Sequence, residues 1–311
     1  MAKLLFNRLA LVGLGLIGSS IAWAAKKQGV VGEIVGTARS EETRARALEL
    51  GFLDKAYDTA ADAAEGADLV IMCVPVQTSG LIAAEIGEHL TEGAIVSDVG
   101  SVKQSVVNDV EPHIPDGRFF VAGHPIAGTE HSGPDAGFAE LFEGRWCILT
   151  PGKKSCDDAT ARLKAFWDAL GSNVEVMAPD HHDLVLAITS HIPHLIAYNI
   201  VGTVADLETD TRSEVIKYSA SGFRDFTRIA ASDPTMWRDV FLSNKEAVLE
   251  MLGRFSEDLS SLQRAIRRDE GDTLYELFSR TRDIRRSIID VGQETDEPNF
   301  GRNPSLHAKK E

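Results

Sequence analysis

Between Leu9 and about Val176, short runs of consecutive apolar residues alternate with stretches whose apolar positions recur at helical spacing. The clearest runs are Leu9 to Gly13, Ile34 to Thr37, Leu69 to Val74 and Ile95 to Val99, with Phe119 to Val121 further on. Strands that are apolar at every position, not every second one, are those covered on both faces, as in a parallel sheet flanked by helices. The pattern predicts an α/β domain of Rossmann type, a doubly wound parallel sheet. Beyond Ala178 the strand signal stops, and Leu184, Ile188, Leu195 and Tyr198 recur at helical spacing with His191 among them, so the second half reads as all helix. Ser190 is placed to cap one of its helices. Asn244 to Arg268 and Asp272 to Val291 read as two long amphipathic helices broken near Gly271, of the kind that pair between subunits. The expected organisation is a Rossmann-type domain over residues 1–178, an all-helical domain over 179–292, and a loosely held polar tail over 293–311 that carries Pro298 and Pro304.

Composition narrows the class. With 311 residues the chain exceeds the usual single-domain size, and 43% hydrophobic with 25% charged residues is the balance of a globular protein. A formal net charge of -15 opposes binding to a phosphate backbone, and no basic stripe offsets it, so nucleic acid is not an expected partner. Cys73, Cys147 and Cys156 are too scattered for a disulfide framework or a zinc site and read as packing residues. No apolar run reaches the roughly 18 residues of a membrane span, so a cytoplasmic protein without membrane contact is expected.

Gly13, Gly15 and Gly18 form GxGxxG between the first strand and a helical run ending near Lys27. In that context the first glycine permits a tight turn, the second lets the backbone approach a pyrophosphate, and the third allows close helix packing. Leu16 and Ile17 would offer the first helical N–H groups, and Val74, Pro75 and Gly100 follow later strands at the same edge. The position where an acid would bind the adenosine ribose falls near Ala38, with Arg39 and Ser40 after it. A guanidinium beside a hydroxyl accommodates a 2′-phosphate, so the cofactor is NAD or NADP with a lean to NADP, although Glu41 or Glu42 can also reach a ribose.

Two polar loops follow later strands, where open α/β sheets place ligands. Gly100, Ser101, Val102 and Lys103 form one; Gly123, His124, Pro125, Ile126, Ala127 and Gly128 form the other. A base that takes a hydroxyl proton during hydride removal suits an imidazole, and His124 is the candidate. His89, His113, His131, His181, His182 and His307 sit in polar stretches and read as surface residues. His191 and His194 fall three apart on one helical face; without further ligands they suit polar contacts to substrate better than a metal, and no metal is expected. Arg224 and Arg228 lie four apart, and either fork can hold a carboxylate.

The segments GLGLIGSS (Gly13 to Ser20), DVGSVK (Asp98 to Lys103), GHPIAGTE (Gly123 to Glu130), TSHIPH (Thr189 to His194) and GFRDFTRIAASDPTMW (Gly222 to Trp237) together resemble the prephenate/arogenate dehydrogenases of tyrosine biosynthesis. The resemblance runs to about Val291. It implies a nicotinamide-dependent oxidative decarboxylation of a doubly carboxylated cyclohexadienol by a homodimer. It also implies roles: His124 accepts the hydrogen bond of the ring hydroxyl, Ser101 helps to place hydroxyl and nicotinamide, and His191 and His194 border the cleft beside Ser190. Arg228 pairs with a substrate carboxylate, and Glu130 with Arg224 forms an ionic gate. The chain has no length for the mutase or ligand-sensing fusions of that family and reads as monofunctional.

Two other readings compete. A β-hydroxyacid dehydrogenase also joins a Rossmann domain to a helical one, but its catalytic lysine has no counterpart in pattern around Lys217. A cofactor-sensing dimer without catalysis would bind and not turn over; the set Ser101, His124 and Arg228 argues against it.

Overall fold

The computed structural model describes residues 4–129, 131–206, 214, 217 and 221–290. They fall into two compact units, one of residues up to Ile196 with Ile229–Val248, the other of Ala197–Arg228 with residues from Leu249 onward. Glu130, Val291 and the tail over 293–311 lie outside the described residues.

The first unit is organised by an eight-stranded sheet: β1 (Phe6–Val12), β2 (Val31–Thr37), β3 (Lys55–Tyr57), β4 (Leu69–Met72), β5 (Ile95–Asp98), β6 (Phe119–Pro125), β7 (Trp146–Pro151) and β8 (Asn173–Val176). The spatial order is β3-β2-β1-β4-β5-β6-β7-β8. Neighbours are parallel except β6 and β7. Alternate residues of β1 enter two separate apolar clusters, Leu9 and Leu11 on one face, Ala10 and Val12 on the other. All four residues of β4 are fully buried. That two-sided burial is the physical reason for the continuous apolar runs.

Chain order reverses at β1 and β4, which opens a crevice at the carboxyl ends of the strands. Gly13 follows β1, Cys73 to Pro75 follow β4, and Gly100 and Ser101 follow β5. Strand β6 runs further than Val121: Gly123 and His124 pair with Leu149 and Ile148 of β7, so His124 sits in a strand and not in a loop. An antiparallel partner on one side and the buried polar groups described below on the other hold these residues extended.

A continuous helix over Pro179–Ala205 follows the sheet, made of an α-helical stretch (Pro179–Leu186), one wide π turn (Ala187–His191) and a second α-helical stretch (Ile192–Ala205). Its start is Pro179, where a missing N–H costs nothing. Ser190 therefore lies inside the helix and caps nothing, contrary to expectation. Pro193 explains the wide turn, because its ring removes one donor and crowds the carbonyl four residues back. The same helix corrects the reading of apolar runs: it has 27 residues and a window of mean hydropathy 1.5, enough by length and composition to cross a membrane. It buries His182, Asp183 and His191 in a polar network, while 28% of that apolar window is buried.

In the second unit a short helix, Ser221–Thr227, precedes a tight turn that starts at Arg228. The long helices are Lys245–Arg267 and Gly271–Asp290. The break between them is made by Asp269, in the left-handed region at φ 55°, with the Glu270 N–H donating to the Ala265 carbonyl at 3.0 Å. Gly271 opens the next helix instead of breaking the chain. Cys156 packs against the apolar core as expected and also caps the helix Asp157–Ala169 through its sulfur.

Candidate active site

The crevice wall at β1 is made of backbone. Gly13 stands at φ 103°, and a Cβ there would lie 2.2 Å from the Cys73 carbonyl oxygen; a Cβ at Gly18 would lie 2.2 Å from the Gly13 carbonyl. Gly15 has nothing within 4 Å, so its backbone is bare to the crevice. Helix α1 (Leu16–Gln28) then starts with no side-chain cap and no acid in its first turn. Its first N–H groups, with Leu16 and Ile17 leading, are left to an anion, and the arrangement fits a dinucleotide pyrophosphate. At the end of β2 the Arg39 side chain is exposed. Ser40 caps helix α2 (Glu41–Leu50), accepting from the Thr43 N–H at 3.2 Å and donating to the Thr43 hydroxyl at 2.8 Å.

The polar side of the crevice is assembled from side chains. Asp98, at the end of β5, and Lys103 form a fully buried ion pair. Asp98 accepts the Gly100 N–H at 2.8 Å and the Gly123 N–H at 3.2 Å, while the Lys103 ammonium donates to the Gly123 carbonyl at 2.7 Å. One ion pair thus holds the residues immediately before Ser101 and before His124. Burial pushes the Lys103 ammonium pKa down, and Asp98 opposes that push.

His124 is 8% exposed, and its Nδ1 lies 2.9 Å from Nε2 of His182. His182 Nδ1 in turn lies 2.8 Å from the Asp183 carboxylate, which also accepts the backbone N–H groups of Lys103 at 2.8 Å and Gln104 at 2.9 Å. His182 was expected at the surface; it is fully buried, because it lies on the inner face of the helical stretch Pro179–Leu186 while His181 takes the outer one. Burial, then the neighbouring His182, Lys103 and His191, hold the His124 imidazole neutral well below the usual histidine range. Burial also lowers His182, against the pull of Asp183.

His191 is fully buried and its Nδ1 lies 3.1 Å from the Asn244 amide nitrogen, whose other contact is the Asp183 carbonyl at 2.8 Å. An amide nitrogen only donates, so His191 carries its proton on Nε2. That atom has no hydrogen-bond partner among the described residues, although the Ser101 backbone acts on the ring to raise its pKa. Burial brings the His191 pKa to about 4. His194 stacks on Trp237 with centroids 3.6 Å apart, and His191 meets the same ring edge-on at 6.0 Å, so the two histidines do share a face. The His194 Nδ1 is bonded to the Ser190 carbonyl at 2.8 Å, which is what Ser190 contributes.

Arg224 and Arg228 belong to the second unit, where Arg224 is exposed and faces Asp225 at 3.3 Å. Sequence reasoning missed His182, Asp183, Asp98, Lys103, Trp237 and Asn244 as parts of the site. Asp98, Lys103 and Trp237 lie inside the quoted motifs without a role assigned there, and the adjacent His182 and Asp183 after the last strand were the local signal for that pair.

Comparison with known proteins agrees along the chain. The family described as prephenate dehydrogenase, nucleotide-binding domain, matches residues 21–176, and prephenate dehydrogenase, dimerization domain, matches residues 178–280. A cyclohexadienyl dehydrogenase of Zymomonas mobilis is 42% identical over 91% of this chain and 96% of its own length. A prephenate dehydrogenase of Bacillus subtilis is 34% identical over 91% of this chain and 76% of its own. The crystal structure of prephenate dehydrogenase from A. aeolicus, in complex with hydroxyphenyl propionate and NAD+, superposes with a TM-score of 0.85 at 37% identity, covering 91% of this chain and 98% of that one. Sequence and fold together place the chain in the prephenate dehydrogenase family.

Proposed function

We propose that this chain oxidises prephenate, arogenate or both to the aromatic product with loss of carbon dioxide, in tyrosine biosynthesis. The observation that carries the reading is a buried, neutral His124 at the same sheet edge as a glycine loop shaped for a dinucleotide. A nicotinamide dinucleotide, NAD+ or NADP+, held at the glycine loop would supply the hydride acceptor for the ring carbon that bears the hydroxyl. His124 takes the hydroxyl proton as that oxygen becomes carbonyl-like; the ring carboxylate then leaves as carbon dioxide, its electron pair completes the aromatic ring, and the proton returns to the product oxygen. Aromatisation makes the step downhill, so alignment and charge stabilisation are the main tasks of the protein.

Ser101, held by the Asp98 and Lys103 clamp, orients the hydroxyl. The Nε2–H of His191 donates to a substrate oxygen, and His194, backed by Trp237 and Ser190, borders the side chain. Arg228 pairs with a substrate carboxylate, and Arg224 with Glu130 gates the entrance. Gly13, Gly15, Leu16, Ile17, Gly18, Val74, Pro75 and Gly100 hold the cofactor. Because Ser40 is engaged in its own helix cap, Arg39 is the side chain that favours the 2′-phosphate of NADP. Residues 1–178 act as the cofactor domain and 179–292 as the substrate and dimerisation domain of a cytoplasmic homodimer. Leu259, Ile266, Phe278 and Ile284, all more than half exposed in the single chain, supply its apolar face.

The test is turnover with prephenate and with arogenate, each with NAD+ and NADP+, read by nicotinamide absorbance. Turnover in any mixture is expected; silence in all four from folded, cofactor-binding protein overturns the reading. In the active mixture, His124→Asn is expected to lower kcat by about 1,000-fold with the substrate KM little changed. An equal loss of cofactor affinity would remove His124 from the chemistry.

A further inference from the structure

We propose that His182, held by Asp183, is the positioning residue that fixes His124 in its Nδ1–H tautomer and so leaves the Nε2 lone pair for the substrate hydroxyl. The inference deepens the dehydrogenase reading and rests on it for the identity of the hydroxyl, but the tautomer itself is a property of the free protein.

The argument starts at the carboxylate, because a carboxylate only accepts. Both Asp183 oxygens are pinned by backbone N–H groups, Oδ1 by Lys103 and Oδ2 by Gln104, so the group has one orientation. Its Oδ1 is 2.8 Å from His182 Nδ1, which must therefore carry a hydrogen. A neutral imidazole has one N–H, so His182 Nε2 is an acceptor. Among the described residues the polar atom bonded to that acceptor is His124 Nδ1, at 2.9 Å, and two ring nitrogens at this distance share one hydrogen. It sits on His124 Nδ1, and His124 Nε2 is left bare.

The opposite arrangement needs a His182 imidazolium donating to His124, which would put the remaining His124 hydrogen on Nε2 and make it useless as an acceptor. The surroundings resist that charge. His182 is fully buried and shares its surroundings with the Lys103 ammonium, which opposes a second cation, and with Asp183 and Asp98, which favour one. His124 is faced by His182, Lys103 and His191, all of which oppose its protonation, and His191 by Asp183, His182 and His194. Asp183 is already satisfied by two N–H donors, and Asp98 is paired with Lys103. Holding the tautomer is a known source of rate in histidine-dependent enzymes, in which a wrongly placed proton costs orders of magnitude while binding survives.

Two conservative variants separate position from packing. In His182→Gln the terminal carbonyl reaches the place of ring Nε2 and accepts from His124; in His182→Asn the amide reaches Asp183 only. We expect His182→Asn to lower kcat by about 100-fold with both KM values within about threefold, and His182→Gln to retain activity within about fivefold of wild type. Long-range proton–nitrogen correlation spectra of histidine-labelled protein read the tautomer directly. They should show His124 as Nδ1–H in wild type and His182→Gln, and as Nε2–H in His182→Asn. A wild-type His124 found as Nε2–H overturns the proposal without any variant. Equal kcat losses in both variants with an unchanged His124 tautomer overturn it too, because His182 would then only pack. An Nδ1–H His124 in a protein that turns over no cyclohexadienol would support the positioning role and sink the reaction reading instead.

Discussion

The two walls of the crevice are built by opposite means. The cofactor wall is a backbone surface produced by three glycines within six positions, and its shape depends on what those positions lack. The polar wall is a set of buried side chains, Asp98, Lys103, His124, His182, Asp183, His191 and Asn244, drawn from five places along the chain. A backbone wall has nothing to exchange and fails when any atom is added. A side-chain wall fails when one partner is removed and recovers in part when the other goes with it.

The comparison breaks most easily at Gly13. Its left-handed φ alone costs a valine about 1–3 kcal/mol, and the added Cβ would meet a carbonyl oxygen that belongs to a central strand connection and cannot rotate away. Gly13→Val is expected to abolish measurable cofactor binding in a fluorescence titration. Binding within threefold of wild type would mean the wall is not the rigid backbone surface described.

Next in size is Lys103→Met, which leaves the Asp98 carboxylate buried without its counter-charge and should lower stability by about 3–5 kcal/mol in urea unfolding. The double variant Asp98→Asn with Lys103→Met should recover a large part of that loss, because no charge remains to be buried. Additive losses in this cycle would show that the two residues act separately, and the picture of a shared clamp on Gly100 and Gly123 would fail.

The same contrast decides what the sequence made legible. The sheet and the glycine turn were readable because each is encoded over a few neighbouring residues: continuous apolar runs for strands buried on both faces, and glycines before a helix. Ser101 was picked out by its place after a strand, and His124 by the apolar run Phe119 to Val121 before it, although the strand in fact continues through His124. His182 was not, because a histidine beside another histidine in a polar stretch carries no mark of which side faces inward until the preceding strand and Pro179 set the phase of the helix. Lys103 and Asp98 stood inside a quoted motif but without a role, for a related reason: a lysine in a polar loop normally reaches water, and only the topology brings it under β6. The reading of Ser190 as a cap failed because the helix had already started eleven residues earlier, at Pro179.

A smaller effect follows from the buried imidazoles. The unfolded His191 takes a proton as pH falls below about 6.5, whereas the folded one resists until about 4. The unfolded state therefore binds more protons in that window, and stability, fully present above it, is lost as pH falls through it, by up to about 1.4 kcal/mol per pH unit for each such group. His124 and His182 are lowered as well and act in the same direction. His191→Asn is expected to reduce the pH slope of the urea midpoint above about pH 5, where the low-lying carboxylates of Asp54, Asp116 and Glu140 do not yet contribute. An unchanged slope would mean that His191 is not held neutral by burial.

The smallest expected effect lies where the two walls give way to solvent, at Arg39. Its side chain is exposed at the end of β2, so any contact with a 2′-phosphate is partly screened and has no buried partner to enforce it. Arg39→Ala should raise the KM for NADP+ by about tenfold, the worth of one charge-assisted contact, and leave that for NAD+ within about twofold. The NADP+ effect should shrink as salt is added, since exposed charges interact over a screening length of about 10 Å at moderate ionic strength. Equal changes for both cofactors would assign Arg39 to the solvated surface, and the selection of the nucleotide would then rest on the backbone wall and on the acids Glu41 and Glu42 that open α2.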